Sequence, residues 1–196
     1  MKEIWAIILA AGSSTRMKMQ KLLLPFKGKT MIETVIENAV SIAGKNIMVV
    51  LGSNREAISE KIEHLRVKHT VNKNYQNGML SSAICGIQAL PETAGAFLIF
   101  LGDQPQIPSS VAKFVIEAWK KSGKSIIVPV YKNRRGHPVL IETRFIPEIE
   151  KLDQNRGLKQ LLEKYPNEVY EVNCYLPEIL RDIDTPEEYK LEISKK

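Results

Sequence analysis

The feature that most constrains the fold is a series of short apolar runs, separated by segments that have the periodicity of helices. Residues 3–10, 46–51 and 95–101 are such runs, and each has the length and composition of a buried strand. Strands that are apolar on both faces are typical of parallel sheets with helices on each side. The alternation therefore predicts a doubly wound α/β domain, whose ligands bind at the carboxyl ends of the strands.

Start and stop signals place helices between these runs. Thr30 and Glu33 form the pattern of a capping box, and Gly44 follows the helix that they begin. Similar signals predict helices at 54–65, 81–90, 108–122, 145–152, 157–165 and 186–193, the last with Thr185 as its N-cap. Strands are also predicted at 67–71, 125–131, 138–141 and 169–172, with a hairpin or bulged turn at 132–137. Because no repeat or linker is found, we expect a single domain over residues 1–196.

The composition limits the kinds of partner. The 44% hydrophobic and 26% charged residues are typical of a globular chain. No run has the roughly 18 apolar residues of a membrane span, and no signal peptide is recognisable, so we expect a cytoplasmic protein with no membrane partner. The net charge of +6 favours polyanionic ligands. Because the basic residues are dispersed and few aromatic residues accompany them, a nucleic acid is not an expected partner.

The loop after the first predicted strand has the composition of a phosphate-binding loop. Its small residues let backbone N–H groups approach phosphate oxygens, which its serine hydroxyls and two cations can also bind. It is neither a Walker A loop nor a G-x-G-x-x-G loop. The candidate nucleotide-binding residues here are Leu9, Ala10, Ala11, Gly12, Ser14, Arg16 and Lys21. The alternative is a tight turn between a strand and a helix, with incidental cations.

Carboxylates follow the strand predicted at 95–101 and recur late in the chain. Asp103 lies on a stiff turn after Gly102, which suits Mg²⁺, an ion that takes one or two carboxylates together with substrate phosphates. Asp182 and Asp184 lie on the same side of an extended segment, and either could complete the metal site. Asp184 is better placed because it ends the element. The alternative role of these aspartates is to cap a turn or a helix.

Four motifs together resemble a known family. The first reads LAAGSSTRM from residue 9 and continues as KLLLP from residue 21. It resembles the signature loop of the MobA-like nucleotidyltransferases. The later motifs read GDQP at 102–105, GHPV at 136–139 and DIDTP at 182–186, and they resemble one branch, the molybdenum cofactor cytidylyltransferases. The resemblance extends from Leu9 to Tyr189.

The resemblance implies a Rossmann-like fold of the nucleotide-diphospho-sugar transferase type, with a mixed, mainly parallel sheet flanked by helices. It implies transfer of CMP from CTP to the terminal phosphate of a molybdopterin-type cofactor, with release of pyrophosphate and with Mg²⁺ as cofactor. Gly12, Ser14, Arg16 and Lys21 would hold the triphosphate. Arg16 and Lys21 would also stabilise the leaving group, and Asp103 would bind the metal with Asp184 as a second ligand.

The resemblance also bears on the base and on the acceptor. Relatives that transfer a guanylyl group usually carry glycine at the position of Ala11, whereas the cytidylyl branch has alanine. The segment NGMLSS at 77–82 resembles the base-binding segment of the family, which adds Gly78, Ser81 and Ser82 to the nucleotide-binding residues. His137 is either a contact for the anionic acceptor or part of a plain turn.

Other functions are compatible with these motifs. The chain could be another small-molecule nucleotidyltransferase, one that guanylylates the molybdenum cofactor or uses a sugar phosphate or an isoprenoid acceptor. It could also be a non-catalytic protein that handles the cofactor. If it makes the cytidylylated cofactor, a molybdenum hydroxylase or its maturation chaperone is the candidate protein partner.

Overall fold

The computed structural model describes residues 3–13, 17 and 19–195. The strands in these ranges are β1 (Glu3–Ala10), β2 (Pro25–Phe26), β3 (Lys29–Thr30), β4 (Ile47–Leu51), β5 (Lys68–Val71), β6 (Ala94–Leu101), β7 (Ile126–Tyr131), β8 (Arg134–Arg135), β9 (Val139–Glu142) and β10 (Val169–Asn173). The α-helices in the same ranges are α1 (Met31–Ala43), α2 (Arg55–Ile62), α3 (Met79–Gln88), α4 (Ser109–Ser122), α5 (Ile146–Ile149), α6 (Lys159–Lys164) and α7 (Pro186–Ile193).

One sheet organises the chain, with the strand order β10-β7-β9-β6-β1-β4-β5 and β8 paired to β7. β1 runs parallel to β4 and β6, β4 to β5, and β7 to β10. Only β9 among the strands of this central order is reversed, since it pairs antiparallel with both β6 and β7. The carboxyl ends of β1, β4, β5, β6, β7 and β10 therefore meet at one edge of the sheet. β2 and β3 form a separate hairpin.

The two faces of the sheet contribute to different hydrophobic cores. Ala6, Ile8 and Ala10 of β1 pack into the core that contains the apolar faces of α1 and α4. Ile7 and Leu9 pack into the opposite core, with α3, α5 and α6. Successive side chains of a strand point to opposite faces, and both faces are covered here, so β1 has to be apolar along its length. Each fully buried large apolar side chain contributes about 1.5–3 kcal/mol.

The predicted α/β fold, with a mixed and mainly parallel sheet flanked by helices, is confirmed. The capping boxes are also as expected, because Thr30 and Thr185 each accept a hydrogen bond from the backbone N–H three residues on. The helix predicted at 54–65 forms as α2, but it lacks the side-chain cap that a polar residue at its start could supply. Asn54 has a left-handed backbone with φ of 54°, and its side chain makes no capping bond to α2.

The loop 132–137 contains the predicted hairpin. Lys132 and Asn133 adopt left-handed φ angles, and the chain then pairs β8 with β7. The β2–β3 hairpin was not predicted, because strands of two residues have too little periodicity to be recognised. None of the helices in the described ranges combines the length and apolar character needed to cross a membrane.

Candidate active site

A cleft of about 410 Å³ opens at the edge where the carboxyl ends of the parallel strands meet. Three chain segments form its walls: the end of β1 and the following loop, the segment from the β5 exit into α3, and the aspartates after β6 and before α7. The lining residues are Leu9, Ala11, Gly12, Ser13, Tyr75, Gln76, Gly78, Met79, Ser82, Leu101, Asp103, Asp182 and Asp184. The location agrees with the rule that ligands of open α/β sheets bind outside the carboxyl ends of the strands.

Lys21 brings together two of the predicted metal ligands. Its Nζ lies 2.6 Å from Asp103 Oδ2 and 2.6 Å from Asp184 Oδ1. The Lys21 side chain is only 11% exposed, against 22% for Asp103 and 24% for Asp184. Burial acts to lower the pKa of Lys21, but the two carboxylates outweigh it and raise the pKa above its ordinary value. Lys21 is therefore a charged ammonium at neutral pH.

Backbone contacts fix the turn that carries Asp103. The N–H of Gly102 donates to the carbonyl of Leu9 over 3.0 Å, which joins the exits of β6 and β1. A Cβ at position 102 would lie 3.0 Å from that carbonyl oxygen, so glycine is what allows the close approach. The carbonyl of Asp103 also accepts a bond of 3.2 Å from the N–H of Ile183, which holds the late segment beside the turn.

Asp184 is held from its other side by the start of α7. Its backbone N–H and that of Thr185 both donate to Glu188 Oε2, over 2.9 and 2.8 Å. The capping box of α7 therefore holds the backbone of the aspartate in addition to beginning the helix.

Asp182 lines the same cleft but has a different partner. Gln104, which is 3% exposed, donates from Nε2 to Asp182 Oδ1 over 2.8 Å. Partial desolvation and then the charge of Asp103 raise the pKa of Asp182, and the bond from Gln104 opposes them. Because Asp184 shares an ammonium with Asp103 and Asp182 does not, the geometry favours Asp184 as the partner of Asp103.

The donor set suits a hard divalent cation completed by substrate oxygens. The carboxylates of Asp103 and Asp184 lie close together because both contact the Lys21 ammonium, and carboxylate oxygens are the ligands that Mg²⁺ prefers. Within the described ranges, no group of three or more His, Cys, Asp or Glu side chains forms a complete metal site by itself. A metal held by Asp103 and Asp184 would therefore need further ligands, as Mg²⁺ sites usually do from phosphates and water.

Three loops that line or support the cleft meet at Gly52, just after β4. The carbonyl of Ala11 accepts a bond of 3.1 Å from the N–H of Ser53. A Cβ at position 52 would lie 2.7 Å from both Cβ and O of Ala11 and 2.9 Å from Cβ of Tyr75. Position 52 therefore has no room for a side chain, and the loops after β1, β4 and β5 are in direct contact there.

Ser81 and Ser82, the two serines of α3 predicted to bind the nucleotide, face different cavities. Ser82 is buried and lines the cleft, as does Gly78. Ser81 instead lines a neighbouring cavity of about 380 Å³, and its hydroxyl bonds the carbonyls of Gly78 and Asn74. Asn72, which is 5% exposed, donates from Nδ2 to both serine hydroxyls, over 2.9 Å to Ser81 and 3.0 Å to Ser82.

His137 lies next to the cleft but not among the residues that line it. Its backbone N–H donates to the carbonyl of Ile179 over 3.3 Å, and its peptide bond to Pro138 is cis. Burial lowers the pKa of His137 to about 4, although the charge of nearby Asp103 acts in the opposite direction. The imidazole is therefore neutral at physiological pH. It can form a hydrogen bond with an anionic acceptor substrate, but it carries no positive charge that would attract that substrate.

The structure brings together many, but not all, of the predicted residues. Leu9, Ala11 and Gly12 line the cleft, and Ala10 is buried beside them at the end of β1. Ser14 and Arg16 lie outside the described residues. Gln104 and Asn72 were not singled out from the sequence. Asn72 directly follows β5, and Gln104 lies shortly after the end of β6. A polar residue at the carboxyl end of a parallel strand is the signal that could have identified them.

A model of the MobA-like NTP transferase domain matches residues 6–169 of the chain. The chain therefore belongs to the MobA-like NTP transferase family, and the prediction of a nucleotidyltransferase of this family is confirmed.

Individual relatives extend over nearly the whole chain. The molybdenum cofactor cytidylyltransferase of Escherichia coli K12 is 27% identical over 189 residues, which cover 96% of this chain and 95% of that protein. The nicotine blue oxidoreductase of Paenarthrobacter nicotinovorans is also 27% identical, over 96% of both proteins. A crystal structure from Mycobacterium tuberculosis H37Rv, in complex with manganese, superposes with a TM-score of 0.83 at 22% identity and covers 99% of this chain and 100% of that one.

Proposed function

We propose that this nucleotidyltransferase uses Mg²⁺ to transfer CMP from CTP to the terminal phosphate of a molybdopterin-type cofactor, with release of pyrophosphate. The observation that carries the proposal is the meeting of Asp103 and Asp184 at the ammonium of Lys21, in a cleft lined by the loop after β1. A solved structure of the same fold is a complex with manganese, which supports a divalent metal as cofactor.

The residues of the chain act mainly by position and charge. Asp103 and Asp184 would hold the metal, which when bound would neutralise charge on the phosphate oxygens. Lys21 keeps its proton at neutral pH and would stabilise the charge that develops on the departing pyrophosphate. Gly12, Ser14 and Arg16 stay predicted ligands of the triphosphate. No general base is needed, because a phosphate acceptor is already ionised at neutral pH.

The choice of CTP rests on Ala11 and on the relative from Escherichia coli. Ala11 is 4% exposed, and its carbonyl is held by the N–H of Ser53. Ala11 lines the cleft at the position where guanylyl-transferring relatives usually have glycine. The cytidylyltransferase that is 27% identical supports the same nucleotide and acceptor. A molybdenum hydroxylase or its maturation chaperone is still only the predicted recipient of the product. The cytoplasmic location is also still a prediction.

A coupled assay of pyrophosphate release tests the proposal. The purified chain with Mg²⁺ and molybdopterin cofactor should release pyrophosphate much faster with CTP than with GTP or ATP. Asp103→Asn should lower kcat by about 10²-fold or more, since loss of one group that stabilises transition-state charge typically costs that much. Glu117→Gln, an exposed change in α4 away from the cleft, is the matched control and should keep the rate. Equal rates with all three nucleotides, or full activity of Asp103→Asn, would contradict the proposal.

The equal identity to an oxidoreductase supplies a second candidate from a different class. An oxidoreductase on this fold would bind a hydride donor such as a nicotinamide dinucleotide in the same cleft. Thermal unfolding with CTP or with NADPH, each with Mg²⁺, separates the two. Stabilisation by CTP alone supports nucleotidyl transfer, and stabilisation by NADPH alone supports the oxidoreductase.

A further inference from the structure

We propose that Asn72 is a positioning residue that makes the Ser82 hydroxyl a hydrogen-bond donor to the bound base, so that the cleft selects a base with an acceptor there. The inference rests on the proposed function, because it takes the ligand of the cleft to be a nucleoside triphosphate. It concerns the recognition of the base and not the transfer chemistry.

The orientation of the Asn72 amide is fixed by the backbone. Its Oδ1 accepts a hydrogen bond of 2.9 Å from the N–H of Asn74, which can only donate. The carbonyl side of the amide therefore points to residue 74, and the NH₂ side must point to the serines. The N–H of Asn72 itself donates to the carbonyl of Leu51 over 2.8 Å, which ties the residue to the exit of β4.

The two N–H bonds of the amide are both used, one for each serine. Ser81 Oγ and Ser82 Oγ lie 2.9 and 3.0 Å from Nδ2, so each hydroxyl accepts there and must direct its own proton elsewhere. The Ser81 hydroxyl donates its proton to the carbonyl of Gly78, which lies 2.8 Å from Oγ. In the described part of the chain, the Ser82 hydroxyl has no second partner, and Ser82 lines the cleft. Its proton is thus available to a ligand.

The nucleotide must extend past Ser82 if its phosphates lie near Lys21. The phosphate end of the cleft is defined by Lys21, Asp103 and Asp184, and the segment from Tyr75 to Ser82 forms another wall. The base and ribose are the parts of a nucleotide that remain to contact this wall. A hydroxyl that donates there matches N3 of cytosine, which is an acceptor, and mismatches N3 of uracil, which carries a proton.

Binding measurements on adjacent serines test the assignment. Calorimetry with CTP, UTP and inorganic tripolyphosphate, all with Mg²⁺, is carried out on the full chain and on its variants. Ser82→Ala should weaken the binding of CTP by about tenfold, which is the value of one hydrogen bond to a ligand. The same variant should weaken the binding of UTP by less than about threefold. Ser81→Ala, the matched change on the other side of the wall, should weaken CTP less than Ser82→Ala does. Tripolyphosphate, which has no base, should bind all three proteins alike.

Asn72→Asp tests the polarity itself. Its carboxylate can still accept from the N–H of residue 74, but it can only accept from the serines, so Ser82 turns its proton away from the cleft. The preference for CTP over UTP should then fall by at least tenfold. If this variant does not fold, as judged by circular dichroism, Ser82→Ala decides alone.

Three results would overturn the inference: equal losses for CTP and UTP in Ser82→Ala, equal losses of CTP in both serine variants, or a loss of tripolyphosphate binding as large as that of CTP. None of them bears on pyrophosphate release in the wild-type chain, which tests the proposed function separately.

Discussion

Single residues in the cleft have charges that their neighbours determine. Lys21 is buried and stays protonated because Asp103 and Asp184 contact its ammonium. His137 is partly buried, and among the described residues no carboxylate forms an ion pair with its side chain, so its pKa falls to about 4. The same physical cause, loss of water, thus leaves one side chain charged and the other neutral, and the difference is whether a carboxylate is within hydrogen-bond distance.

The lowered pKa of His137 predicts a specific dependence of stability on pH. Between pH 4 and pH 6.5 the unfolded chain binds a proton at this histidine that the folded chain does not, so folding stability should rise with pH across that window. Across this window the free energy of unfolding should rise by at most about 3 kcal/mol because of His137. Above the ordinary pKa of histidine, this residue should cause no further rise.

Urea unfolding of the wild-type chain and of His137→Gln, at several pH values between about 4 and 7, measures this effect. The free energy of unfolding should rise less steeply with pH in the variant. Parallel curves would show that the imidazole titrates normally. His69→Gln, at an exposed residue of β5, is the control.

At the scale of elements, the first turn of α7 both begins the helix and holds Asp184. Thr185→Ala removes the side-chain cap, which should lower the free energy of unfolding by about 1 kcal/mol. Because Asp184 precedes the cap directly, the variant should also bind Mn²⁺ more weakly, and electron paramagnetic resonance of free Mn²⁺ can measure this.

Thr30→Ala is the matched change, since Thr30 caps α1 by the same capping box. It should cost similar stability and leave Mn²⁺ binding close to the wild type. If both variants lose the ion equally, the cap of α7 has no special relation to the site.

The elements that were predicted well are those whose signals are local. The strand β1 and the helix α7 have the predicted bounds, because continuous apolar character and a capping box are both written within a few residues. Helix α2 has no such side-chain cap, because the chain adopts a left-handed conformation at Asn54. The antiparallel pairing of β7 with β9 agrees with the hairpin predicted at 132–137. The insertion of β9 between β7 and β6 depends instead on pairing with a distant segment, which no local pattern contains.

At the scale of the whole molecule, Lys21 joins segments that are far apart in sequence. It contacts Asp103 and Asp184, which lie 82 and 163 residues away along the chain. Residue type and position after a strand were enough to propose each of the three side chains separately. Their meeting at one ammonium, and the different partner of Asp182, follow only from the tertiary fold.

Lys21→Met should therefore destabilise the whole chain and not one loop. Removal of the ammonium leaves two carboxylates side by side, and we expect a loss of about 2 kcal/mol at neutral pH, with a cooperative transition at lower urea concentration. Because the pKa of Lys21 is raised, its contribution is complete below the ordinary lysine pKa and is lost as pH rises through the folded-state value. The difference between the two proteins should thus shrink in strongly alkaline buffer. Lys113→Met, an exposed change in α4, should cost little at any pH, and an equal cost would refute the linkage.

The contact at Gly52 has a consequence for protein engineering. The loops after β1, β4 and β5 touch where a Cβ would lie within 3 Å of Ala11 and Tyr75, so the shape of each loop depends on the other two. A relative's nucleotide preference cannot be grafted by exchanging the loop around Ala11 alone, because the transplanted backbone would meet an unmatched neighbour. The three loops form one transplantable unit, and chimaeras should be cut within β1, β4 and β5, where the parallel register is regular.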